Sequence, residues 1–146
     1  MEHRADIDYA QLAHRLQVLF EDKVISGYRD SFRGELGRTQ AEVLERLYEH
    51  GPTRTQDLAD ALHVPKQHVS KIVAAFQKAE LVASAPDPSD GRAKTICITD
   101  AGRSLIDRHI HESGQRYLAL IDGLSADERE ELAASMERLI ALFERI

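Results

Sequence analysis

The chain has 146 residues, enough for one domain with a sizeable core, and its single cysteine excludes an intramolecular disulfide framework. Its formal charge of −6 excludes a uniformly basic surface, but the charge is uneven. Residues 53–94 hold six Lys/Arg against five Asp/Glu, while residues 1–52 hold seven against ten and residues 95–146 six against ten. With no signal peptide and no long apolar run, a soluble cytoplasmic protein without membrane contact is expected.

Leu12, Leu16, Leu19, Phe20 and Val24 fall at helical spacing and predict a helix from about Asp6 to Arg33. A bend is expected at Ser26-Gly27, since glycine weakens a helix interior by roughly 1 kcal/mol relative to alanine. Leu36-Gly37 leads into a second helix that ends at His50 before Gly51-Pro52, with Thr39 and Glu42 at capping-box spacing. Thr53 and Gln56 repeat that spacing ahead of a short helix whose inner stripe is Leu58, Ala59 and Leu62.

Only His63-Val64 separate this helix from the next, which Pro65 opens with a pre-set φ. There Val69, Ile72, Val73 and Phe76 form one apolar stripe that must be buried. The opposite face carries Gln67, Lys71, Ala74 and Lys78, flanked by His68 and Ser70. Two helices joined by so short a turn, the second with a polar outer face, make a helix-turn-helix, whose second helix enters the DNA major groove.

Leu81–Ala85 and Thr95–Thr99 are rich in β-formers and flank a turn-rich loop, so a hairpin is expected. Its tip carries Arg92 and Lys94, a wing able to lay a cation in a minor groove. Thr99 can cap a long helix to about Leu120, broken by Asp122-Gly123. Ser125-Ala-Asp-Glu128 is a capping box before a last helix carrying Leu132, Met136, Leu139, Ile140 and Phe143. The apolar faces of the first and last two helices have no obvious cover within the chain, so they are expected to pack against a second copy as a homodimer.

These elements assign roles to side chains. Gln67, His68 and Lys71 are candidate base-edge readers, glutamine suiting adenine and lysine guanine. Lys66, Ser70, Thr53 and Thr55 are candidate phosphate contacts, and Arg92 is the candidate minor-groove probe. Asp90 is expected to orient the wing by pairing with an arginine. Cys97 has no visible activating partner and is read as a structural or idle thiol. His109 and His111 point about 200° apart on a helix, so only Asp107 with His111 could share an ion; no metal and no cofactor is expected. No catalytic fingerprint is present, so an enzyme is not expected.

Leu36, Glu42-Val43-Leu44, Leu47-Tyr48-Glu49-His50-Gly51-Pro52, Asp57-Leu58-Ala59, Val69-Ser70, Ala79-Glu80-Leu81-Val82, Asp87-Pro88-Ser89-Asp90-Gly91-Arg92 and Ile98-Thr99-Asp100-Ala101-Gly102 together resemble the MarR family of bacterial transcription regulators. The resemblance implies a mainly α fold with a small β-wing. A winged helix-turn-helix over residues 36–99 would join helical dimerisation segments at 1–35 and 100–146 in one integrated domain. It also implies a ligand-responsive repressor that binds a pseudo-palindromic site on double-stranded DNA as a dimer. A small aromatic or phenolic effector would sit near His14, Tyr28, Phe32 and Tyr48, with Tyr9 and Phe20 also in reach. Four positions depart from the family: Gly37 stands where a threonine cap is usual, Pro65 where many relatives have serine, Glu80 where a left-handed glycine is common, and Gly91 where the wing often has arginine. The alternatives are a winged-helix protein-interaction module and a metal-sensing regulator.

Overall fold

The computed structural model describes residues 7–32 and 34–146, with all their side chains except those of residues 29–31. The first helix, α1, spans Tyr9–Phe20, capped by Asp8, whose carboxylate accepts from the Gln11 amide at 3.0 Å. A wider π-helical turn, Glu21–Ile25, joins it to α2, Ser26–Ser31. The irregularity expected at Ser26-Gly27 therefore falls just before that pair. There the Ser26 hydroxyl donates to the Asp22 carbonyl four residues back, a bond that competes with the regular ladder. The expected helix limits at Asp6 and Arg33 lie outside the described residues.

Helix α3 spans Arg38–His50 and α4 spans Thr55–Leu62. Neither starts where its threonine pattern indicated. Gly37 precedes α3 in extended backbone, and Gln40, not Glu42, reaches back to accept the Gly37 amide at 2.8 Å. Arg54 rather than Thr53 occupies the N-cap of α4, because Thr53 is drawn into a two-bond bridge with Ile96 (3.0 and 2.8 Å). A partner distant in sequence overrides the local capping signal.

Helix α5, Lys66–Lys78, follows a turn in which His63 takes a left-handed φ of 54°. Pro65 is the N-cap residue, one position before the first-turn place expected for it. At the other end Glu80 has φ 60°, the geometry more easily held by glycine, and the Leu81 amide donates to the Phe76 carbonyl at 2.9 Å. Strands β1 (Val82–Pro86) and β2 (Lys94–Ile98) then pair antiparallel, with Val82 opposite Ile98 and Pro86 opposite Lys94. Each is shifted by one residue from the expected span.

Helix α6, Asp100–Ile121, begins at Thr99, whose hydroxyl accepts from the Gly102 amide at 3.1 Å. Helix α7, Ala126–Phe143, starts in the expected capping box, with Ser125 and Glu128 exchanging bonds.

The core explains the order. Val43, Leu44 and Leu47 of α3, Leu58 of α4 and Val69, Ile72, Val73 and Phe76 of α5 are buried together with Val82, Ile96 and Ile106. Fully burying each large aliphatic contributes about 1.5–3 kcal/mol, so this cluster fixes α5 with its apolar stripe inward. Phe32 and His109 extend the core towards α2, their rings 3.8 Å apart. By contrast, α1 and α7 bury no residue at all.

Candidate nucleic-acid interface

Because the stripe of α5 is buried, its opposite side is fixed outward. Lys66, Gln67, His68, Ser70 and Lys71 are all exposed, and none of their side chains has a hydrogen-bond or ion-pair partner among the described residues. Neither α4 nor α5 has a side-chain acceptor on its first-turn amides. First-turn amides of this kind suit phosphate oxygens. Thr55 is the first residue of α4 and half-buried. Thr53 is also half-buried, and its hydroxyl donates to the Gly51 carbonyl at 2.9 Å, leaving it able only to accept. The exposed hydroxyls expected at these two threonines are therefore partly enclosed.

Arg92 and Lys94 are exposed on the wing, again without a partner among the described residues. Asp90 pairs with no arginine among the described residues. Its carboxylate accepts from the Arg92 backbone amide at 3.1 Å and shapes the turn locally. The arginine partner belongs to Asp87: Arg54 Nε donates to its Oδ2 at 2.6 Å, while Ser89 donates to Oδ1 from its amide (2.8 Å) and its hydroxyl (2.7 Å). The bonds from Ser89 and Arg54 hold the Asp87 carboxyl well below the usual carboxylate range. Gln77 of α5 donates to the Ser84 hydroxyl of β1 at 2.6 Å, a second tie between wing and helices. Sequence reading missed Arg54, Asp87, Gln77 and Ser84 as positioning groups. Arg54 and Asp87 lie 33 residues apart, and no local pattern links them.

Of the aromatic residues proposed for an effector, Tyr28 and Phe32 meet edge to face, 5.0 Å between centroids. Tyr28 lies between two crevices. One, of about 220 Å³, is also lined by Ile25, Phe32, Leu36 and Ala41. The other, of about 340 Å³, is lined by Val24, Gly27, Ile110 and Tyr117 besides Tyr28. His14 is exposed on α1, and Tyr48 turns its hydroxyl to Asp107 at 2.6 Å; neither lines these crevices. Asp107 is thus engaged away from His111, and among the described residues no group of three or more His, Cys, Asp or Glu is placed to hold an ion. Cys97 is partly exposed, with Sγ 3.4 Å from the Ala83 carbonyl oxygen. No helix among the described residues is long and apolar enough to cross a membrane.

A helix-turn-helix with an outward polar second helix, followed by a two-stranded wing, defines a winged helix-turn-helix of the DNA-binding kind. Comparison with known proteins narrows this class. The model of the MarR family matches residues 36–94. The uncharacterised HTH-type transcriptional regulator YxaD of Bacillus subtilis is 30% identical over 110 residues, 75% of this chain and 77% of the relative. The HTH-type transcriptional repressor NicR of Pseudomonas putida is 26% identical over 130 residues, covering 89% and 82%. The crystal structure of the transcriptional regulator Tm0710 from Thermotoga maritima shares the fold, with a TM-score of 0.73 at 21% identity over 94% of both chains. The chain belongs to the MarR family of transcription regulators.

Proposed function

We propose that the protein binds a pseudo-palindromic operator as a homodimer and represses transcription until a small aromatic or phenolic effector releases it. The carrying observation is the row of exposed polar side chains on α5, without partners among the described residues, on a helix locked in the core by its other face. In this reading Gln67, His68 and Lys71 meet base edges, Lys66, Ser70, Thr53 and Thr55 meet phosphates, and Arg92 with Lys94 enters the minor groove. Residues 36–99 read DNA, and the segments 1–35 and 100–146 join the two copies. A dimer with two-fold symmetry presents two α5 helices to sites one or more DNA turns apart. Working on chromosomal DNA places the protein in the cytoplasm.

An effector acts only by binding one spacing of the two α5 helices better than the other. The crevices flanking Tyr28 suit such a ligand by size and by their mix of aromatic and aliphatic walls with charged groups, Arg38, Glu42 and Glu45 in one and Lys23 and Arg116 in the other. They lie where α2 meets α3 and α6, so an occupant would press on the junction between the two regions.

Lys71→Ala tests the base-reading role. It should weaken binding to a cognate operator by about 1–3 kcal/mol, and nonspecific binding by less, through the lost charge alone. Equal affinity of variant and parent for that operator in a gel-shift titration would remove Lys71 from the reading face.

A further inference from the structure

Besides the Gln77–Ser84 bond, the wing is anchored at two places. At its base Thr53 bridges to Ile96, as though a third strand had begun. One residue on, the chain enters α4, and the Arg54 side chain crosses to the wing shoulder to reach Asp87. Asp87 is itself fully engaged. Its carboxylate accepts from Arg54 and twice from Ser89, its amide donates to the Ala93 carbonyl at 3.0 Å, and its carbonyl accepts from the Asp90 amide at 3.3 Å. With 8% of its surface exposed, it is the buried pivot on which the segment from Pro88 to Ala93 turns, and that segment carries Arg92. The Arg54 side chain is 40% exposed, and its Nε is held against the wing shoulder by this bond.

We propose that Arg54 and Asp87 form a clamp that sets the angle of the wing against α4, making both residues positioning groups for the DNA contact of Arg92. The inference rests on the DNA-binding reading above and adds two residues to it. It has a sign that simple electrostatics does not share. Asp87 is a carboxylate beside a surface meant for a polyanion, so removing its charge should strengthen DNA binding if charge alone mattered. The clamp requires the opposite, because an unpinned wing no longer holds Arg92 in register with the groove.

The experiment titrates an operator duplex with the full chain and with Asp87→Asn, Arg54→Ala, Arg92→Ala and the two doubles that add Arg92→Ala, across a range of salt concentrations. Asp87→Asn is expected to bind about tenfold more weakly. Its salt slope should fall by roughly the one phosphate-equivalent that Arg92→Ala itself loses. Adding Arg92→Ala to either clamp variant should then cost little more, the non-additivity of groups acting through one contact. Arg54→Ala leaves the Asp87–Ser89 turn intact, so it reports on the clamp even if Asp87→Asn fails to fold. Equal or tighter binding by Asp87→Asn with unchanged thermal unfolding would overturn the clamp, as would fully additive losses. If the parent binds no duplex, the DNA-binding reading fails instead, and the two failures are distinguishable.

Discussion

At the scale of single residues, positions without a reactive group constrain the reading face as strongly as the polar row does. A Cβ on Gly102 would run into the Leu81 carbonyl oxygen and come within 2.6 Å of Ile98 Cγ1, where α6 crosses the end of the hairpin. Gly102→Ala should therefore destabilise the fold by about 1–3 kcal/mol, read as a lower midpoint in urea. An unchanged midpoint would mean that α6 shifts freely against the wing. Asp87 gives a prediction with pH. Its carboxyl titrates below the ordinary value of 3.8 because Ser89 and Arg54 stabilise the anion. Its contribution to stability is complete above the unfolded value and is lost as pH falls through the lower, folded one. Acid unfolding of Asp87→Asn should accordingly show a shallower loss of stability below about pH 4 than the parent. Parallel acid limbs would show that the carboxylate is not stabilised in the fold. Gly102 was visible in sequence as part of a motif, but its reason was not, since that lies in backbone atoms 21 positions earlier.

At the scale of elements, α5 was readable because two independent requirements agree in it. Its stripe repeats with the helix, and Pro65 marks its start; the left-handed turn at Glu80 that ends it was foreshadowed only by the family resemblance. The capping boxes divide instructively. Ser125 and Thr99 cap as expected, because each starts a helix after a loop that no other element claims. Thr39 and Thr53 do not cap; Gln40 supplies the acceptor in one case, and strand-like pairing with Ile96 claims the other. Local pattern thus placed the helices, and a contact remote in sequence moved the first residue only of α4. The Glu80 turn offers a test at this scale. Glu80→Gly should stabilise the protein by about 1 kcal/mol, since the side chain is exposed and only its φ is unfavourable. A loss of stability in urea titration would mean that the Glu80 side chain contributes something beyond its backbone angle.

At the scale of the molecule, the division between buried and unburied helices carries the proposed assembly. Between α1 and α7 lies an apolar groove of about 410 Å³, walled by Leu16 and Phe20 on one side and Leu139, Ile140 and Phe143 on the other. Ile140 is 54% exposed and Phe143 58%, surface that costs free energy unless a second chain covers it. Ile140→Asp should convert a dimer into a monomer in sedimentation and weaken operator binding with it, because an unpaired carboxylate is costly to bury in an interface. A variant that stays dimeric would move the interface elsewhere. The unpartnered faces were legible in the heptad-like spacing of α1 and α7; how α1 and α7 flank one groove was not, since that depends on the whole path of α6.

Nuclease footprinting of the DNA flanking the protein's own gene probes the central claim most directly, that two outward α5 faces read one duplex together. Protection should appear as two half-sites on one face of the duplex, centred about 10–10.5 base pairs or a multiple apart, and with Lys71→Ala should need about tenfold more protein or beyond. A parent protein that is dimeric in solution yet leaves that DNA unprotected at low salt, or protects it just as well without Lys71, would contradict the account.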